Sequence, residues 1–147
     1  MERFSLITGA CVNTGVAIVE KFAGSGRNVI FTGRTPEKVA EAESKYRAAF
    51  PNVKIIGRTL NSLINETTVD EAAVKTLYAE LDEKGILVDT LVLNAADQGL
   101  NMKIFENPIT DFMRVINTNM TWNYLMVEEA ARRMKDNGGG SVVFVNS

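Results

Sequence analysis

Residues 8–15 read Thr8-Gly9-Ala10-Cys11-Val12-Asn13-Thr14-Gly15, and this stretch constrains the fold more than any other. It lies between an apolar run, Phe4-Ser5-Leu6-Ile7, and an amphipathic one from Val16 to Ala23. Strand, glycine-bearing turn and helix in that order aim backbone N–H groups and a positive helix end at one point in space. A phosphate is the natural occupant of such a point.

The rest of the chain supplies a frame for that turn. Phe4–Thr8 predicts a first strand, apolar without periodicity, as in a strand buried on both faces. Asn13 is placed to cap the next helix, whose Val16, Val19, Phe22 and Ala23 share a face, and Gly24-Ser25-Gly26 ends it. Asn28–Thr32 reads as a second strand closed by Gly33-Arg34. Thr35-Pro36-Glu37 then opens a helix that Pro51 stops. Val53–Leu60 is a third strand, and Thr68 with Glu71 forms an expected capping box for a helix over Val74, Leu77, Tyr78 and Leu81 that ends at Gly85. Thr90–Leu93 is a fourth strand ending at Asn94-Ala95-Ala96. A long helix is expected from Asn107-Pro108 to about Lys135, and Ser141–Val145 forms a fifth strand after Asn137-Gly138-Gly139-Gly140.

Strands alternating with helical crossovers call for right-handed βαβ units and a parallel sheet covered on both faces. The fold class expected is therefore α/β, a doubly wound Rossmann-type sheet with strand order 3-2-1-4-5 in one domain. Ligands of such sheets bind at the carboxyl ends of the strands beside the switch point, here between strands 1 and 4. The opening turn and Asn94-Ala95-Ala96 would meet there.

Composition narrows the chemistry. At 147 residues with 46% apolar and 23% charged content, the chain is long enough to bury a core and is not of disordered type. A formal net charge of -2 leaves no basic footprint for nucleic acid. The single cysteine, Cys11, suits a reducing, cytoplasmic compartment, and no apolar run approaches the length of a membrane span. Met1 runs almost directly into the first strand, so no signal peptide is expected. The absence of histidine removes Ser-His-Asp and Cys-His chemistry and the commonest zinc ligand, so no metal site is expected.

Six stretches carry a resemblance: Thr8–Gly15, Gly33-Arg34, Thr59-Leu60-Asn61, Asn94-Ala95-Ala96, Asn117-Thr118-Asn119 and Val143-Phe144-Val145-Asn146-Ser147. In this order they resemble the N-terminal, nucleotide-binding part of the short-chain dehydrogenases/reductases. The family's turn is T-G-x-x-x-G-x-G; here Asn13 replaces the middle glycine, and asparagine tolerates positive φ better than most residues. Leu93 and Ala96 likewise replace the first asparagine and the glycine of the family's N-N-A-G.

The resemblance implies that Thr8, Gly9, Asn13, Thr14, Gly15, Asn94, Ala95 and Ala96 hold a nicotinamide dinucleotide. Gly33 stands where an acid would hold the ribose of NAD, and Arg34 follows it with a guanidinium suited to a 2′-phosphate, which implies NADP rather than NAD. The backbone around Leu60 would meet the adenine. Asn119 is implied as the residue that bends its helix and holds a water of the proton relay. Ser147 would hydrogen-bond the substrate carbonyl oxygen.

The family's proton donor is a tyrosine in Y-x-x-x-K. Tyr46, Tyr78 and Tyr124 are followed four positions on by Phe50, Asp82 and Glu128, so none forms that pair. The expectation is a domain truncated after strand 5, inactive as it stands. An apolar edge on strand 5 and an uncovered face of the long helix are expected to associate with another copy or partner. Two functions follow: an NADP-dependent oxidoreductase moving a hydride between nicotinamide and a small carbonyl or alcohol, present as its cofactor-binding part, or a non-catalytic dinucleotide-binding module serving in redox sensing or assembly.

Overall fold

The computed structural model describes residues 1–146. The elements are β1 (Glu2–Ile7), α1 (Asn13–Gly24), β2 (Val29–Gly33), α2 (Pro36–Ala49), β3 (Ile55–Thr59), β4 (Leu63–Asn65), β5 (Thr68–Val69), α3 (Glu71–Glu83), β6 (Ile86–Leu93), α4 (Ile109–Ile116), a π-helical turn (Asn117–Thr121), α5 (Trp122–Asp136) and β7 (Ser141–Phe144). Five strands form one parallel sheet in the order β3-β2-β1-β6-β7. With β6 and β7 as the fourth and fifth strands of that sheet, this is the expected order.

The register explains the continuous apolar strands. Leu6 lies between Ile30 and Leu91, and Ile7 between Phe31 and Val92. Alternation sends successive side chains to opposite faces, so β1 and β6 feed two cores. One contains Phe4, Leu6, Ile30, Leu91 and Leu93 with residues of α3 and α5. The other contains Ile7, Val29, Phe31 and Val92 with residues of α1 and α2. Each fully buried Leu, Ile or Phe contributes roughly 1.5–3 kcal/mol of transfer free energy.

Four local expectations are corrected. Val12, not Asn13, is the N-cap of α1; its backbone is extended and no side chain caps the helix. Asn13 instead adopts φ +52°, the left-handed conformation that the glycine pattern requires of it. Thr68 belongs to β5, and the cap of α3 is Asp70, whose carboxylate accepts from Ala73 N at 3.0 Å. The segment before α3 folds as an antiparallel hairpin, β4 with β5, whose short polar run gave no alternating signal. The fourth strand of the main sheet begins at Ile86, four residues before the predicted start, because Asp89 interrupts the apolar run and is buried against Arg27.

The long helix is broken as its sequence suggests. The poor helix formers Asn117, Thr118 and Asn119 fall in the π-helical turn, where Trp122 N–H reaches back five residues to the Asn117 carbonyl.

Candidate functional site

Thr8 fixes the opening turn to the end of β6. Its fully buried hydroxyl accepts N–H bonds from Asn94 and Ala95, both at 3.0 Å. Asn94 returns the contact, its Nδ2 donating to the carbonyls of Thr8 at 3.2 Å and Gly9 at 3.1 Å. On the other side Gly9 N donates to Thr32 Oγ1 at 3.2 Å and Ala10 N to the Thr32 carbonyl at 2.9 Å. The turn is thus strapped to both neighbouring strands.

The glycines in it are demanded by space. A Cβ at Gly9 would lie 2.8 Å from Ala95 Cα, and Gly9 also has φ +64°. One at Gly15 would lie 2.5 Å from the Gly9 carbonyl oxygen and 2.9 Å from Asn94 Nδ2. Asn94-Ala95-Ala96 therefore packs on a turn that small residues alone permit, and α1 starts at the point where that turn ends. Among the described residues no other turn in the sheet opens a helix with this bracing.

Tyr46 adds a support that sequence inspection passed over. Its buried hydroxyl donates to the Ala10 carbonyl at 2.6 Å, and its ring meets Phe31 edge-on at 5.1 Å between centroids. Burial, with the nearby Cys11 and Glu20, pushes its phenol up to about 12. Tyr78 is buried too, donating to the Met126 carbonyl at 3.3 Å.

At the end of β2, Gly33 accepts Leu60 N through its carbonyl at 2.9 Å, which fixes the start of the β3–β4 connection. A Cβ at position 33 would collide with the Cys11 thiol and lie 2.9 Å from Val39 Cγ2. The sulfur therefore occupies the space that an acidic side chain at position 33 would need. Burial raises the Cys11 thiol above its usual range, opposed by the Lys38 charge. Arg34 follows, exposed at the start of α2. The cradle thus has a cation beside it and no carboxylate at the end of β2.

The other end of the site is built from Asp97. Asn119 grips its backbone twice: Asn119 Oδ1 accepts from Asp97 N and Asn119 Nδ2 donates to the Asp97 carbonyl, each at 2.8 Å. The Asp97 carboxylate receives Arg114 Nε at 2.8 Å, Arg114 Nη2 at 3.3 Å and Gly99 N at 2.8 Å. The Arg114 bond, then the Gly99 amide and the charges of Arg114 and Arg34, hold that carboxyl below its usual range against partial burial. Arg114 also donates to the buried Asp111 at 2.6 Å. Asp97 and Asp111 carried no motif; Asp97 follows the strand end at Asn94-Ala95-Ala96, and Asp111 and Arg114 lie on the expected long helix just before Asn117-Thr118-Asn119. Among the described residues, the bonds to Asp97 use one N–H and one lone pair of the Asn119 amide.

The turn of the long helix reaches a third way. Asn117 Nδ2 donates to the Thr67 carbonyl at 2.8 Å, and Thr118 Oγ1 shares a 3.0 Å hydrogen bond with Ser62 Oγ. Residues Thr8, Gly9, Gly15, Gly33, Asn94, Ala95 and Asn119 thus meet at one end of the sheet, with Arg34 and Leu60 at its flank. Asn13 and Thr14 open α1 beside them, and Ala96 links Ala95 to Asp97. Ser147 lies outside the described residues. No helix among the described residues is long and apolar enough to cross a membrane, and no cluster of metal-ligating side chains occurs among them.

A parallel sheet of this order, a strapped glycine turn at its switch point and an asparagine-bearing turn in the helix facing it define a Rossmann-type dinucleotide fold. The sequence matches the short chain dehydrogenase family over residues 3–147, and the chain belongs to that family. It is 26% identical over 146 residues to a 3alpha-hydroxysteroid dehydrogenase of Mediterraneibacter gnavus, covering 99% of this chain and 56% of that protein. It is 30% identical over 145 residues to a 3-oxoacyl-(acyl-carrier-protein) reductase of Aquifex aeolicus, covering 99% of this chain and 55% of that protein. Among solved structures, a short-chain dehydrogenase from Streptomyces avermitilis superposes with a TM-score of 0.81 at 26% identity, covering 99% of this chain and 49% of the other. A metagenomic short-chain oxidoreductase in complex with NADP shares the fold, with a TM-score of 0.86 at 22% identity over 99% of this chain and 62% of the other. The chain spans about 55% of the length of the curated relatives it matches.

Proposed function

We propose that this chain is the cofactor-binding part of an NADP-dependent oxidoreductase that moves a hydride between nicotinamide and a small carbonyl or alcohol. The observation that carries this is the pairing at the end of β2: Cys11 fills the space an acid at position 33 would use, and Arg34 stands next to it. A site without that carboxylate has no partner for a free ribose 2′-hydroxyl, and a guanidinium suits a 2′-phosphate. The relatives supply the reaction class, since two of them are described as a dehydrogenase and a reductase.

The cradle fits a dinucleotide by its shape. Gly9 and Gly15 let the turn close tightly on itself and on Ala95 and Asn94, and the closed turn presents the N–H groups of residues 13–15 and the start of α1 to a pyrophosphate. Thr8, Asn94, Ala95 and Ala96 wall that cradle, and Leu60 borders the adenine. The dinucleotide, when bound, supplies the hydride chemistry. Asn119 keeps the nicotinamide-side loop in place and offers its amide to a relay water. Ser147 polarises the substrate carbonyl.

No tyrosine in the 147 residues has a lysine four positions on, so this chain by itself is expected to show no turnover. The partly exposed β7 residues Val143 and Phe144, with Phe112, Met120 and Tyr124 of the long helix, are the faces through which it associates. A free Cys11 and a fold without disulfides fit a cytoplasmic setting.

Calorimetric titration with NADP and NAD tests the reading. NADP should bind, NAD should bind more weakly, and Arg34→Ala should bring the two together. Absence of binding to either at millimolar concentration rejects it. An unchanged NADP:NAD ratio in Arg34→Ala rejects the 2′-phosphate role.

A further inference from the structure

All four polar groups of Asp97 are engaged, each of them by a residue of the long helix. Asn119 takes the N–H and the carbonyl, and Arg114 takes both carboxylate oxygens, one of which also receives Gly99 N. Arg114 and Asn119 are five residues apart. On a regular α-helix that separation turns side chains about 140° away from one another, so they could not hold one residue between them. The turn at Asn117–Thr121 closes by an i→i+5 bond instead. The wider turn rotates Asn119 back toward the face that carries Arg114. Asp111, one turn before Arg114, completes the arrangement by holding Arg114 Nη2 and accepting Leu100 N at 3.4 Å.

We propose that Arg114 and Asp97 are a positioning pair for cofactor binding, and that the π-helical turn exists to bring Arg114 and Asn119 onto the same residue. The pair bolts the segment from Ala95 to Leu100, which forms one wall of the cradle, to the long helix. Asn119 alone fixes the Asp97 backbone but leaves Gly99 and Leu100 free to swing; the Asp97 carboxylate holds the Gly99 amide, and Asp111, bound by the same guanidinium, holds the Leu100 amide. The side chains are about one-quarter exposed, 25% for Arg114 and 22% for Asp97, so the pair is shielded enough to be directional. The proposal rests on the dinucleotide reading for its functional consequence. The restraint on the loop stands independently of that reading.

The experiment compares the unaltered chain with Arg114→Met, Arg114→Lys and Asp97→Asn. NADPH affinity is read by fluorescence, loop restraint by hydrogen exchange at the Gly99 and Leu100 amides, and folding by thermal melting. Arg114→Met should weaken NADPH about tenfold, equivalent to ~1.4 kcal/mol. It should also speed exchange at Gly99 and Leu100 with little change in Tm. Arg114→Lys should recover much of both, and Asp97→Asn, which is isosteric, should reproduce the loss should Arg114→Met fail to fold. An affinity loss that Arg114→Lys does not recover, or that follows a matching fall in Tm, assigns Arg114 to packing and overturns the proposal. Unchanged affinity and exchange in a folded variant overturn it as well. If the unaltered chain does not bind NADPH, the dinucleotide reading falls and with it the functional half of the proposal; unchanged exchange then removes the restraint too.

Discussion

The thiol of Cys11 rests against the backbone of Gly33, in the space where a side chain at position 33 would have to go. One residue of the opening turn thereby governs what the end of β2 can carry, and the two positions must be changed together. Gly33→Asp alone is expected to destabilise the fold by about 1–3 kcal/mol through overpacking, without gaining NAD. Combined with Cys11→Ala, the same change should recover part of the stability and shift the NADP:NAD ratio toward NAD. Thermal melts and paired titrations of the single and double variants check this.

Thr8 holds two part-buried N–H groups with one hydroxyl. Thr8→Val keeps the shape and leaves both donors unpaired, at a cost of about 1–3 kcal/mol for each donor left fully buried. Thr8→Ser should restore most of the loss. Denaturant unfolding of the three proteins gives the comparison, and a Thr8→Val protein as stable as the original would remove Thr8 from its bracing role.

Asp97 predicts an acid-side dependence. Its carboxyl is held below the ordinary range, chiefly by Arg114, with the Gly99 amide and Arg34 adding and Asp111 competing for the same guanidinium. A depressed folded value means that the ionised form supports the fold. Its contribution is complete above the unfolded range of about 3.9 and disappears as pH falls through the lower folded value. The Tm gap between the unaltered chain and Asp97→Asn, small because the pair is partly exposed, should therefore be flat near neutrality and close below about pH 4.

Tyr46 predicts an alkaline one. Its folded value of about 12 lies above the usual 10.0, so the neutral phenol supports the fold. That support is complete below the unfolded value and is lost as pH rises through the folded one. Spectrophotometric titration should contain a late tyrosinate step that Tyr46→Phe removes. The same substitution should cost about 1 kcal/mol near neutral pH by freeing the Ala10 carbonyl.

Much of this architecture was legible before any coordinates. Strand, turn and helix alternation was enough for a parallel sheet of the observed order, because βαβ handedness leaves few alternatives. The positive φ at Gly9 and Asn13 is likewise a local property, whereas the close approach of Ala95 to Gly9 and of Asn94 to Gly15 is tertiary. Three poor helix formers in a row, Asn117 to Asn119, marked the place where the long helix departs from regularity. The β4–β5 hairpin was not legible, since its short strands alternate weakly and depend on Asn117 and Thr118 for their seat.

The sequence by itself determined the strands of the main sheet, the helices between them, their order and the turn that begins at Thr8, since these follow from residue size, periodicity and backbone preference. Only the tertiary structure decided which residues share a site. Cys11 meets Gly33 across 22 residues, Thr8 meets Asn94 across 86, and Asp97 is gripped from Arg114 and Asn119. Contacts of that separation depend on strand register and on what the π-helical turn faces; the local sequence marks where that turn falls, but no local window holds its partners.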